Sequence, residues 1–327
     1  MEGVRIVQDI EECEHLWKAH YPQDCVFDLW GVRRCFSQAY SREPFFILYE
    51  EDGELLGFLP LSRIEENGTY AFFPGETWQG KTWMEQNKIL ARDEDILRIL
   101  FDAIPGKANV RYVCSGSDVL DFSNLIKPRI VPDEVGYLFF PASHGFSYDN
   151  YLTSFSGKSR KKILSEIEGL TSKGLEYRFN EFTDVEWVFK LNLDNFGESS
   201  YFYDPRFMEA FENLVGFLKR ENMLRVVTVI LGGKVAAVDI GAIYNNSCTL
   251  LAGGTNREFQ GVAKLINLHH MAWACQEKME SLDFLCGDFG WKERFRLSPR
   301  PLYQFNIKQP HLNHVEQWTE RLVAYAS

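Results

Sequence analysis

The chain has 327 residues, 45% of them hydrophobic and 25% charged, and a formal net charge of −11. That is the make-up of a globular protein with a real core, long enough for one large domain or two of ordinary size. The acidic balance argues against a general nucleic-acid binder, which needs clustered Lys and Arg for phosphate contacts. No apolar run approaches the ~20 residues of a membrane span, and the opening MEGVRIVQDIEECEHLW has no apolar signal-peptide stretch. Seven cysteines, an odd number with no C-x-x-C, suit reduced thiols in a cytoplasmic protein better than a disulfide frame or a zinc site.

In chain order, a strand VRIV is followed by helices over about residues 10–20 and 26–40. Three strands come next: FFILYE, LLGFLPLSRI and TYAFF, the first two joined by the hairpin turn EEDGE. The third runs into PGETWQGKTW (74–83), which spells the G-x-x-x-x-G-K-T of a nucleotide-binding P-loop. Its interior is wrong for that role. Glu76, Trp78 and Gln79 stand where backbone amides must wrap a phosphate, Glu76 adds a like charge, and no apolar helical stripe starts at Thr82. We read it as a strand exit with incidental spelling and disfavour a P-loop NTPase. A helix over 93–104, ended by Pro105-Gly106, a strand VRYVCS and a loop-rich stretch holding a strand YLFF complete the first half.

The second half repeats the plan: a helix over 158–173, a strand LEYRF and helices over 184–195 and 204–221. Strands LRVVTVIL and VAAVDIGAIY follow, joined by Gly232-Gly233. Then come a strand SCTLLAG, a helix over 262–279 and a strand LDFLC. Each half reads helix, antiparallel meander, helix, strand. The expected fold class is α+β, with two similar domains over 1–145 and 146–309, each a mixed, mostly antiparallel sheet flanked by helices, and a helical tail over 310–327.

The chemistry concentrates in 250–274. A strand ends in Gly253-Gly254, a polar turn follows, and Gly261 and Ala263 open a helix whose exposed amides can cradle a phosphate. Asp239 interrupts an apolar strand, so its burial demands a partner. Asp239 and Asp288 are the candidate bases or acceptor-binding groups. Lys292 is placed to pair with Asp288 or to bind a phosphate or carboxylate, and Tyr203 and Tyr244 are the candidate general acids. Lys158, Arg160, Lys161 and Lys162 form either a solvated helix face or the positive mouth of an anionic substrate site. His269 falls on an apolar helical face and reads as a packed core residue; His311 and His314 lack partners for a metal, so no metal is expected.

Arg257-x-x-Gln260-Gly261-x-Ala263, the long helix after it and LDFLCGD resemble the acetyl-CoA loop of GNAT acyltransferases. Gln260 stands where that family has its first glycine and Ala263 in place of its last. Residues 150–295 resemble, more narrowly, the CelD/FemAB-like branch. The landmarks are Lys158-x-Arg160-Lys161, FGESSYF before DPRF, and Gly287-Asp288-Phe289-Gly290-Trp291-Lys292. The first half is similar to the diverged GNAT-like partner domain of tandem proteins.

The resemblance implies acyl transfer from acyl-CoA, acetyl-CoA first, to an amine or hydroxyl of a small molecule or a cell-envelope or exopolysaccharide precursor. Leu251, Ala252 and Gly253 would line the pantetheine, and Arg257, Gln260, Gly261, Val262, Ala263 and Lys264 the pyrophosphate. Strands 247–253 and 282–286 would splay around the donor. Trp78, Lys81, Glu85 and Gln86, with Lys158, Arg160 and Trp291, are the expected acceptor contacts. Two readings stand beside this one: a FemAB-like transferase using aminoacyl-tRNA, and a non-catalytic GNAT-like binding protein.

Overall fold

The computed structural model describes residues 3–114, 130–287 and 290–307. The first elements are β1 (Gly3–Val7), α1 (Ile10–His20), α2 (Trp30–Tyr40), β2 (Glu43–Glu51), β3 (Glu54–Ile64) and β4 (Thr69–Phe72). Next come β5 (Leu90–Ala91), α3 (Glu94–Asp102), β6 (Ala108–Cys114), β7 (Ile130–Phe139), α4 (Tyr148–Thr153) and α5 (Gly157–Thr171). Then follow β8 (Leu175–Phe179), α6 (Val185–Phe196), α7 (Pro205–Arg220), β9 (Leu224–Leu231), β10 (Lys234–Tyr244) and β11 (Ser247–Thr255). Last are α8 (Val262–Gln276), β12 (Ser281–Asp283) and β13 (Ser298–Ile307).

The chain divides into two compact units, neither a single stretch: one holds residues up to 21, 41–133 and 302 onward, the other 22–40 and 134–301. The sequence had placed the divisions near 145 and 309 and α2 in the first half. The physical reason for the difference is packing. Phe36 of α2 meets Phe207 of α7 edge-on at 5.6 Å, and Tyr40 donates to Asp204 at 3.1 Å. Gly31 lets α2 approach so closely that a Cβ there would lie 2.3 Å from the Phe217 ring. β13 went unforeseen, because Pro299 and Pro301 interrupt its run and proline is excluded from strand interiors.

In the first unit the strands run β1-β2-β3-β4-β6-β13, with β5 also on β3. Neighbours are antiparallel except β4 and β6, which join in parallel at Tyr70 and Ala108. Trp17 of α1 is fully buried against Phe46 and Phe73, which sets that helix on the sheet. Gly57 makes room for α3, since a Cβ there would come 2.6 Å from the Ile96 side chain.

In the second unit the order is β7-β12-β11-β10-β9-β8. All pairs are antiparallel save β11 with β12. The Gly232-Gly233 hairpin has both residues at positive φ, the turn that matches strand twist. Val227 and Val229 of β9 pack with Leu170 of α5 and Val262, Leu265 and Ile266 of α8 on one face. On the other, α6 lies close enough that a Cβ on Gly254 would meet Leu191 at 2.9 Å.

Candidate active site

β11 and β12 pair in parallel over Ser247↔Ser281, Cys248↔Leu282 and Thr249↔Asp283, and there the pairing stops. β12 closes at Asp283, short of the expected Cys286, while β11 continues to Thr255 with β10 alone beside it. A side chain marks the parting. Lys292, 3% exposed, gives its ammonium to the carbonyls of Phe284 (3.0 Å), Leu285 (2.8 Å) and Cys286 (2.7 Å). The Leu285 carbonyl also accepts from the Tyr137 N–H of β7 at 3.2 Å, and Leu285 takes a positive φ of 56° in the same turn.

The freed edge of β11 is held by α6. Asn192 Nδ2 donates to the Gly253 carbonyl at 2.6 Å and Asn195 Nδ2 to the Thr255 carbonyl at 2.8 Å. A strand residue directs its N–H and C=O to the same side in an antiparallel ladder. Gly253 therefore turns its N–H toward the side that β12 has left.

After β11 the chain turns through Arg257, Gln260 and Gly261, all exposed, into α8. Gly261 sits at φ 87° as the N-cap, with no side-chain cap and no acidic residue in the first turn. Ala263 is also exposed, and Val262 anchors the turn in the core. The Arg257 guanidinium bonds the Asn195 carbonyl, tying the turn to α6. Lys264 pairs with Glu166 of α5, and that hydrogen bond lowers the Glu166 pKa. The N–H groups of Val262 and Lys264 bond the carbonyls of Phe259 and Gly261, while the positive dipole end of a helix with no side-chain cap and no acid in its own first turn suits an anionic phosphate.

Asp239 lies in the middle of β10, opposite Gly253. Its Oδ2 takes a hydrogen bond from His270 Nε2 of α8 at 3.0 Å, and His270 Nδ1 faces Arg225 Nη1 of β9 at 2.7 Å. Its Oδ1 stands against Gly253, where a Cβ would come within 2.1 Å. Only glycine leaves space for this carboxylate beside the free edge. Among the described residues no hydrogen bond reaches Oδ1.

The other expected site residues are scattered. Tyr203 is 50% exposed on the turn after α6, its hydroxyl 3.4 Å from Glu198. Tyr244 is at the hairpin end of β10, paired with Ser247, and donates to the Gln23 carbonyl at 3.2 Å. That is the end of the strand away from Gly253. Leu251 is buried and Ala252 half-buried. Trp291 packs against Phe284 and Phe295. Lys158 and Arg160 are exposed on α5. Asp288 lies outside the described residues, as does the stretch 310–327.

In the first unit, Trp78 and Lys81 close a two-residue turn through Gln79 and Gly80, both at positive φ. Glu76 accepts from the Thr82 hydroxyl (2.5 Å) and the N–H groups of Trp83 (3.1 Å) and Met84 (2.9 Å). The P-loop spelling thus wraps a carboxylate of its own, and no helix follows Thr82 among the described residues before α3. Glu85 and Gln86, expected at the acceptor, are 2% and 9% exposed.

Sequence reasoning missed His270, Arg225, Asn192 and Asn195. Arg225 had a signal: like Asp239, it is a single charge in an apolar strand.

A family comparison decides the second unit: the acetyltransferase (GNAT) domain family matches residues 157–293. The second unit has a GNAT-like fold, that of an enzyme. The match takes in α5 through β12 and ends just past Lys292. Solved structures extend the fold to nearly the whole chain. A conserved protein of unknown function from Bacteroides thetaiotaomicron is 13% identical, with a TM-score of 0.57 over 93% of this chain and 100% of that one. FemX is 11% identical, with a TM-score of 0.55 over 94% and 98%. L-PGS from Bacillus licheniformis is 10% identical, with a TM-score of 0.54 over 96% and 97%. At such identities the likeness is one of fold: two GNAT-like units in tandem. No curated protein matches the sequence. No helix among the described residues is long and apolar enough to cross a membrane.

Proposed function

We propose that the second unit transfers an acyl group from acyl-CoA, acetyl-CoA in the first instance, to an amine or hydroxyl of a small molecule or a cell-envelope or exopolysaccharide precursor. The observation that carries the reading is the parting of β11 from β12 next to an uncapped, acid-free start of α8. The pantetheine amides would run along Leu251–Gly253, and the pyrophosphate would meet the turn of Arg257, Gln260, Gly261 and Ala263. A thioester already has a good leaving group, so the protein's task is to align two substrates and stabilise the oxyanion. The Gly253 N–H stands at the free edge for the latter role.

In the reaction the acceptor's nitrogen or oxygen bonds to the thioester carbon and its proton passes to Asp239 Oδ1. The C–S bond then breaks, and the CoA thiolate leaves, taking a proton from water. Calorimetry of the full chain with acetyl-CoA tests the donor. We expect saturable binding by the native protein and none by Gly261→Glu, which puts a carboxylate where the phosphate would lie. Absence of heat from the native protein at millimolar acetyl-CoA overturns the acetyl-CoA reading.

A further inference from the structure

Two opposite charges stand inside the second unit without touching. Arg225 and Asp239 are 7% and 8% exposed, and His270, 1% exposed, separates them. A guanidinium has only donors, so at 2.7 Å from Arg225 the His270 Nδ1 must accept and carries no proton. The single ring proton is then on Nε2, donated to Asp239. Burial pushes the same way, lowering the His270 pKa against the pull of Asp239. The guanidinium is itself fixed, stacked 3.8 Å from the centre of the Trp273 ring.

We infer that Arg225 and His270 are positioning residues for Asp239: Arg225 locks His270 as the neutral Nε2–H tautomer, and His270 pins one carboxylate oxygen so that the other faces the Gly253 edge as the proton acceptor. This rests on the acyl-transfer reading of the same site. His270 is barred from taking the acceptor's proton, since one ring nitrogen is covered by Arg225 and the other already bears hydrogen. Its neutrality also protects the base. An imidazolium in its place would form a full ion pair with Asp239 and make the carboxylate harder to protonate.

The other titratable groups near this chain leave the arrangement undisturbed. Cys248 of β11 and Glu277 of α8 act on Arg225, and burial pushes the Cys248 thiol up to about 12, so it stays uncharged. His269, the neighbour on α8, stacks on Tyr177 at 4.1 Å; burial first, then His270 and Arg225, lower its pKa to about 4. It too is neutral at pH 7.

Nitrogen NMR of the histidine rings in the full chain reads the lock without any substrate. We expect His270 to keep its proton on Nε2 and to show no titration between about pH 6 and 8, where an ordinary histidine protonates. In Arg225→Met it should take up a proton in that window. A native His270 that titrates there, or carries its proton on Nδ1, overturns the proposal even if no variant folds.

Activity supplies the second arm, as free thiol released from acetyl-CoA with water or ethanolamine as surrogate acceptor. Gln can do both jobs of the neutral ring, its amide N–H donating to Asp239 and its oxygen accepting from Arg225. His270→Gln should therefore stay within about 5-fold of the native rate, while His270→Leu loses about 100-fold in kcat with KM for acetyl-CoA unchanged. Gln as impaired as Leu, or Leu as active as native, overturns the positioning role. Arg225→Met should lose rate as pH falls through the neutral range, because His270 is then charged on the acid side. If the native protein fails to bind acetyl-CoA in calorimetry, the donor reading falls, while the NMR result still decides the lock.

Discussion

In the first unit the meander β2-β3-β4 leads through α3 to β6, which joins β4 in parallel. In the second, β9-β10-β11 leads through α8 to β12, parallel to β11. The routes match, and the helix starts do not. α3 begins at Asp93, whose carboxylate accepts from the Ile96 N–H, with Glu94 and Asp95 in its first turn. α8 begins at a glycine with no side-chain cap and no acid in its first turn. The turn leaving β4 likewise encloses the Glu76 carboxylate, whereas the turn leaving β11 stays exposed. One fold, used twice, supplies its own anion at the helix start in the first unit and none in the first turn of the corresponding helix in the second.

Breaking the second unit's openness should have the largest effect. Gly261→Glu both strains a residue at φ 87° and adds a charge opposing a phosphate, so acetyl-CoA affinity should fall by at least about 100-fold by calorimetry. Gly253→Ala is the next test. Its Cβ would come 2.1 Å from Asp239 Oδ1, so the carboxylate must swing away from the edge. Thiol release should drop about 100-fold, the contribution of a general base, with the fold retained by circular dichroism. Lys292→Met attacks the parting itself. Taking the ammonium from the carbonyls of Phe284, Leu285 and Cys286, of which Leu285 keeps the Tyr137 N–H, should cost on the order of 3 kcal/mol of stability in a denaturant titration.

How far the site was legible depends on which contacts the chain's own register decides. The Gly232-Gly233 turn fixes the β9–β10 hairpin, and the shift between Val235 and Ala237 brings Asp239 opposite Val227 and Gly241 opposite Arg225. Arg225 and Asp239 thus share a face two rows apart, a fact within reach of pattern reading, since alternate residues of a strand face alike. His270 was not within reach. Which flank of α8 faces the sheet is set by packing against β9 and α5, and the apolar stripe points to His269. Asn192 and Asn195 carry no local signal; their amides find the Gly253 and Thr255 carbonyls where β12 has ended at Asp283. The strands and helices themselves were clear because their apolar periods and glycine turns are local signals. The tandem plan followed from them, whereas the assignment of α2 depended on distant side chains.

The smallest effects are expected in the first unit, at the P-loop spelling. A working P-loop needs its lysine for the phosphates and its threonine for a metal. Here the Thr82 hydroxyl is 2.5 Å from Glu76, and Lys81 Nζ lies 5.6 Å from the centre of the Trp78 ring. Glu76→Ala removes the acceptor of a hydroxyl and two backbone N–H groups, so melting should reveal a loss of about 1–3 kcal/mol. Lys81→Ala removes a cation near the Trp78 ring and should cost less, about 1 kcal/mol. Neither change should alter acetyl-CoA affinity, and calorimetry with ATP should give no heat before or after them. An ATP affinity that vanished with Lys81 would mean that the loop can expel Glu76 for a phosphate, and the contrast between a closed and an open unit would fail at its sharpest point.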